Sequence, residues 1–224
     1  MLQVNTPDTA TLYNQQPKST EKIFGHFISI LFHPIFIPVY IVAFLIFLHP
    51  DAFTGFSMEM KMRTLLIIVL NIVFFPLLSV FLLRTLGFIS SIYLKSQRDR
   101  IIPYIASGIF YFWAYIVFRG QPEYSNLLVF FLLGVFLVSS AGLMANIYFK
   151  ISMHGLAMGG MLGFFLILSV AGLITFAWPL LLAFVLTGLV GTARLMVSTH
   201  KPADYYYGVL FGALCMIFAA IYIL

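Results

Sequence analysis

Arg194, His200 and Asp204 fall together in the stretch ARLMVSTHKPAD, Ala193 to Asp204, of a chain in which only 8% of residues are charged. Their types suit phosphate chemistry. A guanidinium fork matches phosphate oxygens two at a time. A histidine four residues before an aspartate can share a helical face with it. A carboxylate bonded to one ring nitrogen fixes the tautomer and leaves the other nitrogen as a base or nucleophile. Pro202 suits a first helical turn, so the pair is expected where a helix opens. Two other stretches carry matching groups. KSQRDRIIP, Lys95 to Pro103, supplies Lys95, Arg98 and Arg100, and SMHG, Ser152 to Gly155, supplies His154. On its own segment His154 can serve as a general acid, a role typically worth about 10²–10⁴-fold.

The elements that must position these groups are membrane helices. The 224-residue chain is 62% hydrophobic, whereas a soluble domain of this size is about 45–50% apolar. A helix needs about 20 apolar residues to cross a bilayer core. Seven runs qualify as candidates: 27–48, 64–83, 101–118, 126–147, 155–176, 178–197 and 204–224. Pro34 and Pro38 are expected to kink the first. The third is short and is expected to tilt or re-enter. The fold class expected is an all-α polytopic bundle of six or seven spans, with residues 1–22 as a polar tail and 23–224 as a single transmembrane domain. No internal repeat supports an inverted-repeat transporter, and no span reads as the polar stripe of an ion channel.

Counting spans sorts the connections into two sides. The N-terminus and the stretches 84–100, 148–154 and 194–203 share one side; 49–63, 119–125 and the C-terminus share the other. Lys95, Arg98, Arg100, His154, Arg194, His200 and Asp204 therefore converge on one face. Most Lys and Arg residues fall there too, which by the positive-inside tendency marks that face as cytoplasmic. Setting aside the cations that could serve a phosphate brings the balance near even and leaves the face open. A plasma or bacterial-type inner membrane is the expected location.

The net charge of +5 does not point to nucleic acid, because the basic residues sit at the ends of apolar runs. The single cysteine, Cys215, allows no intramolecular disulfide and no Cys-based metal site. The opening residues do not read as a signal peptide. Of the seven carboxylates only Asp99 and Asp204 lie near the cluster, fewer oxygen ligands than a two-metal phosphatase needs. Phosphate chemistry here is expected to use cations and histidine, with no metal and no cofactor.

These motifs resemble those of the type 2 phosphatidic acid phosphatase superfamily. Arg-x5-His-x3-Asp in RLMVSTHKPAD is similar to its third signature, SMHG to its second (Ser-Gly-His) and KSQRDRIIP to its first (Lys-x6-Arg-Pro), in the same order across residues 95–204. The resemblance implies a six-helix core and a metal-independent phosphohistidine mechanism. His200 would be the nucleophile, Asp204 its orienting partner and His154 the proton donor to the leaving oxygen. Lys95 and Arg194 would hold phosphate oxygens, with Ser152 and the Met153 backbone N–H completing the oxyanion site. The sequence departs from the pattern at Ile102, where an Arg is expected, and Arg100 or Arg98 would supply that charge. It departs also at Met153, where a Gly is expected, and at Ala193, where a small polar residue is expected.

The function expected is hydrolysis of a lipid phosphate monoester or diphosphate. The substrate classes are a polyprenyl diphosphate, favoured by family precedent, phosphatidic acid, phosphatidylglycerophosphate or a lipid A phosphate. The alternative is a catalytically silent lipid-phosphate binder or transporter on the same fold, motivated by Ile102 and Met153. Other residues are read as structural. His33 is expected to pack, His26 and His49 to lie at the interface, and Tyr205, Tyr206 and Tyr207 to form a belt. Asn71 and Asn146 are expected to bond between helices. The small residues of GLAMGGMLG, Gly155 to Gly163, are expected to permit close helix packing.

Overall fold

The computed structural model describes residues 19–89, 97–148, 151–198 and 201–224, without the side chains of Gln97 and Arg98. It is all-α; no strand occurs among the described residues. Helices α1 (Ser19–Leu31) and α2 (Ile37–Phe47) are followed by α3 (Met58–Val69), a π-helical turn at Leu70–Phe74, and α4 (Phe75–Thr85). Then come α5 (Gln97–Arg119), α6 (Asn126–Tyr148), α7 (Met153–Val170), α8 (Trp178–Val197) and α9 (Pro202–Ile223). Among the described residues, six helices are long and apolar enough to span a bilayer, counting Met58–Thr85 as one continuous segment. The chain is a multi-pass membrane protein.

The first apolar run breaks rather than kinks. Pro34 falls in the turn between α1 and α2, and Pro38 sits in the first turn of α2, where its missing N–H costs nothing. The eleven-residue α2 is too short to be counted with the six. The third run is a full helix of 23 residues, not a re-entrant one; Pro103 lies inside it near its start.

α6 and α7 form the centre, with more than half of each span buried, while the outer spans turn most of their surface outward. Phe130 and Phe131 of α6 pack on Phe164 of α7, with ring centroids 5.4 and 5.0 Å apart. α9 lies against α7 along a seam of small residues. Gly155, Gly159 and Gly163 of α7 meet Gly208, Gly212 and Ala213 of α9. A Cβ on Gly208 would stand 2.8 Å from the Ser152 carbonyl oxygen, closer than side chains tolerate. Two backbones this near gain dispersion contact that larger side chains would forbid. The expected packing role of GLAMGGMLG is thus observed.

His49 is a structural histidine of the opposite end. It is 6% exposed. Its Nδ1 accepts from the Asp51 and Ala52 N–H groups at 3.2 and 3.1 Å, and its Nε2 donates to the Leu173 carbonyl at 3.0 Å. One ring ties the loop after α2 to the loop after α7. His49→Ala leaves three backbone groups without these bonds and should destabilise the protein by about 2–4 kcal/mol. Thermal unfolding in detergent checks this; an unchanged midpoint would show that water or lipid replaces the ring.

Candidate functional site

One end of the bundle holds a cavity of about 470 Å³. Its polar rim draws on four segments: His33 from the turn before α2, Arg100 from α5, Met153 and His154 from α7, and Arg194 from α8. Its depth is apolar, lined by Phe131, Val135, Met161 and Met216 among others. Ile41 and Met161 also form part of a second, apolar groove of about 430 Å³ between α2, α7 and α8.

The glycine seam sets the rim. It brings the starts of α7 and α9 together, and the Ser152 N–H donates to the Asp204 carbonyl at 3.1 Å. Ser152 caps α7, its Oγ accepting from the Gly155 N–H at 3.3 Å. The cap leaves Met153 and His154 in the first turn, so the positive end of the α7 dipole opens on the cavity. α9 opens at Pro202 as expected. The Asp204 carboxylate accepts from the Lys201 N–H at 3.1 Å.

The N-terminal segment completes the site. Gly25 lets α1 approach the last turn of α8, where a Cβ would meet Val197 and the Ala193 carbonyl. This contact carries Ser29 over His154, whose Nε2 donates to the Ser29 carbonyl at 3.0 Å. His33 follows in the turn, its ring centroid 5.7 Å from that of His154 with the planes at 82°. Two buried polar atoms of the cavity lining, Arg194 Nε and Tyr104 Oη, have no hydrogen-bond partner among the described residues. Such atoms are costly to bury unless something binds them.

Of the residues expected from the sequence, Arg100, Met153, His154 and Arg194 meet at this cavity. Ser152 does not line it. Its side chain is 1% exposed and serves as the α7 cap, because a serine one residue before a helix is drawn to the orphan N–H groups. Asp204 lies beside the α7 start with its carboxylate at the α9 cap. Lys95, His200 and the side chain of Arg98 lie outside the described residues.

Several residues read as structural differ from expectation. Tyr205 is buried in the bundle, its Oη donating to the Thr187 carbonyl at 2.7 Å, while Tyr206 and Tyr207 are exposed. Asn71 bonds within its own helix, to the Ile67 carbonyl at 2.8 Å, beside the π turn. α5 does present a polar stripe to the cavity: Arg100, Tyr104, Ser107 and Tyr111, at spacings of a helical turn. His33 was legible in principle. The His–Pro pair of FHPIFIP breaks a helix, and the side count places the start of the first run on the motif face.

Comparison with family models, curated proteins and solved structures finds no match. The reading of the site therefore rests on its residues and their geometry.

Proposed function

We propose that this protein is an integral-membrane phosphatase that hydrolyses a phosphate monoester or diphosphate of a lipid, through a histidine nucleophile and without a metal. The observation that carries the reading is the polarity of the cavity. Two arginines and His154, from three different helices, meet at one end of a space whose remaining walls are mostly apolar, the α5 stripe apart. A ligand that fits has an anionic, oxygen-rich head and a hydrocarbon body. Arg194 offers an Nε–H without a described partner, and the α7 N-terminus adds a fixed positive dipole. Both favour a phosphate over a carboxylate headgroup, since a phosphate has oxygens for two guanidinium groups at once.

His200 stands six residues after Arg194 and four before Asp204. In the proposed reaction it attacks the terminal phosphorus, and the bond to the leaving oxygen, the lipid oxygen of a monoester or the bridging oxygen of a diphosphate, breaks with its electron pair on that oxygen, which takes a proton from His154. Water then attacks the phosphohistidine, releasing inorganic phosphate. Arg100 and Arg194 hold the non-bridging oxygens throughout, where negative charge builds in the transition state.

The test is phosphate release in detergent, with chelator present, from a polyprenyl diphosphate, phosphatidic acid and phosphatidylglycerophosphate. Release is expected from at least one of them, the polyprenyl diphosphate foremost. Arg194→Ala should lower kcat/KM on that substrate by roughly 10²-fold, the scale of a lost charge-assisted contact. Binding of these lipids without release by the unmodified protein would instead favour a silent lipid-phosphate carrier, and neither binding nor release would overturn both readings.

A further inference from the structure

His33 belongs to none of the three motifs, yet the fold brings it to them. It lines the cavity with Arg194 and His154, and its ring meets His154 edge to face. The Ile35 backbone N–H points at its Nδ1 across 3.4 Å, a long contact in a turn whose geometry Pro34 restricts. An N–H can only donate, so Nδ1 is the accepting nitrogen and the ring proton resides on Nε2. No described residue takes up that Nε2–H. Desolvation where the ring lies against the cavity wall, and then the charge of Arg194, push its pKa below the ordinary histidine value. Geometry and surroundings agree on a neutral imidazole with one donor to offer.

A neutral donor beside two guanidinium groups has a clear use. It adds a hydrogen bond to an anion without adding a charge that would repel the arginines. It also cannot be confused with a nucleophile, since its accepting nitrogen is occupied by Ile35. His154 cannot fill the same place with the same atom, because its Nε2 donates to the Ser29 carbonyl. We propose that His33 is a phosphate-binding residue of this site, donating its Nε2–H to a non-bridging phosphate oxygen that Arg194 also holds. The inference rests on the phosphate reading of the cavity, and it assigns His33 to positioning and charge stabilisation rather than to proton transfer.

Two variants and two measurements test it. His33→Ala removes the donor, and His33→Gln keeps an N–H at similar reach but cannot shuttle a proton. The first measurement is calorimetric titration with inorganic phosphate. It should show about tenfold weaker binding for His33→Ala and near-native binding for His33→Gln. The second is turnover of an alkyl and an aryl phosphate. His33→Ala should lose roughly 10- to 100-fold on both, because a contact to a non-bridging oxygen does not depend on the leaving group. His33→Gln should recover most of that loss on both. A loss confined to the alkyl phosphate, without rescue by glutamine, would make His33 a proton donor and overturn the proposal. Unchanged phosphate binding in His33→Ala would overturn it as well. Phosphate binding that depends on His33 in a protein without turnover would support the subsite while refuting the phosphatase reading.

Discussion

His200→Ala should abolish phosphate release, lowering kcat by at least about 10³-fold, the scale seen when a covalent nucleophile is removed. Binding should survive. Arg100, Arg194 and the α7 N-terminus, the groups that hold phosphate in the proposed site, are untouched by the substitution. KM is therefore expected to move little, and the loss should fall almost wholly on kcat. A second readout separates a nucleophile from a base. The unmodified protein quenched during turnover should carry a phosphoryl group that is labile in acid and stable in base, as a phosphoramidate is. The variant should carry none. Residual release above about a tenth of the native rate would mean that another group attacks phosphorus, and the mechanism would have to be redrawn.

The second large effect concerns the seam. A Cβ on Gly159 would lie well inside the contact radius of the Val209 backbone, and one on Gly212 would do the same to the Leu156 carbonyl. No flexible side chain is there to yield; a helix axis must move. Gly159→Ala should destabilise the protein by at least about 3 kcal/mol, the upper range for overpacking, and Gly159→Leu should prevent recovery of a monodisperse protein. Gly188→Ala is the control. It lies in α8 with nothing within 4 Å of the position a Cβ would take, so the change should be neutral or stabilise by about 0.5–1 kcal/mol through helix propensity. Equal melting points for Gly159→Ala and Gly188→Ala would refute the seam as the source of stability. Activity should fall with the seam, since the same contact holds the starts of α7 and α9 at the site.

Apolar runs, end signals and side counting were enough to read the bundle. The runs at 126–147, 178–197 and 204–224 coincide closely with α6, α8 and α9, and Ser152, Pro179 and Pro202 mark helix starts in ways local chemistry dictates, while the run at 155–176 overshoots α7, which ends at Val170. The N-terminal third was harder. Pro34 breaks the first run outright where a kink was expected, and the turn there is held by Tyr40 Oη, which donates to the Leu31 carbonyl at 2.8 Å. The site divided in the same way. Arg100, His154 and Arg194 were found by type and spacing. Ser29 was not, since a backbone carbonyl that holds the His154 ring has no side-chain signature, and His33 was read as a packing residue although its place in the first run pointed to the same face. Ser152 was read by family analogy as a phosphate ligand, and the fold uses it first as a cap.

The π turn at Leu70–Phe74 fits one residue more into its circuit than an α-helix would. Before it, α3 packs on α2; after it, α4 packs on α5, and Pro76, Leu77 and Val80 reach the cavity wall. The turn acts as a phase shifter in the long helix. Winding the same residues evenly as an α-helix would rotate everything downstream by about 100°. The cavity would then lose that wall to the lipid while the helix itself stayed whole. An even winding that ordinary helix energetics would welcome is thereby excluded by the shape of the site, and the irregular turn is the imprint of the cavity on the backbone.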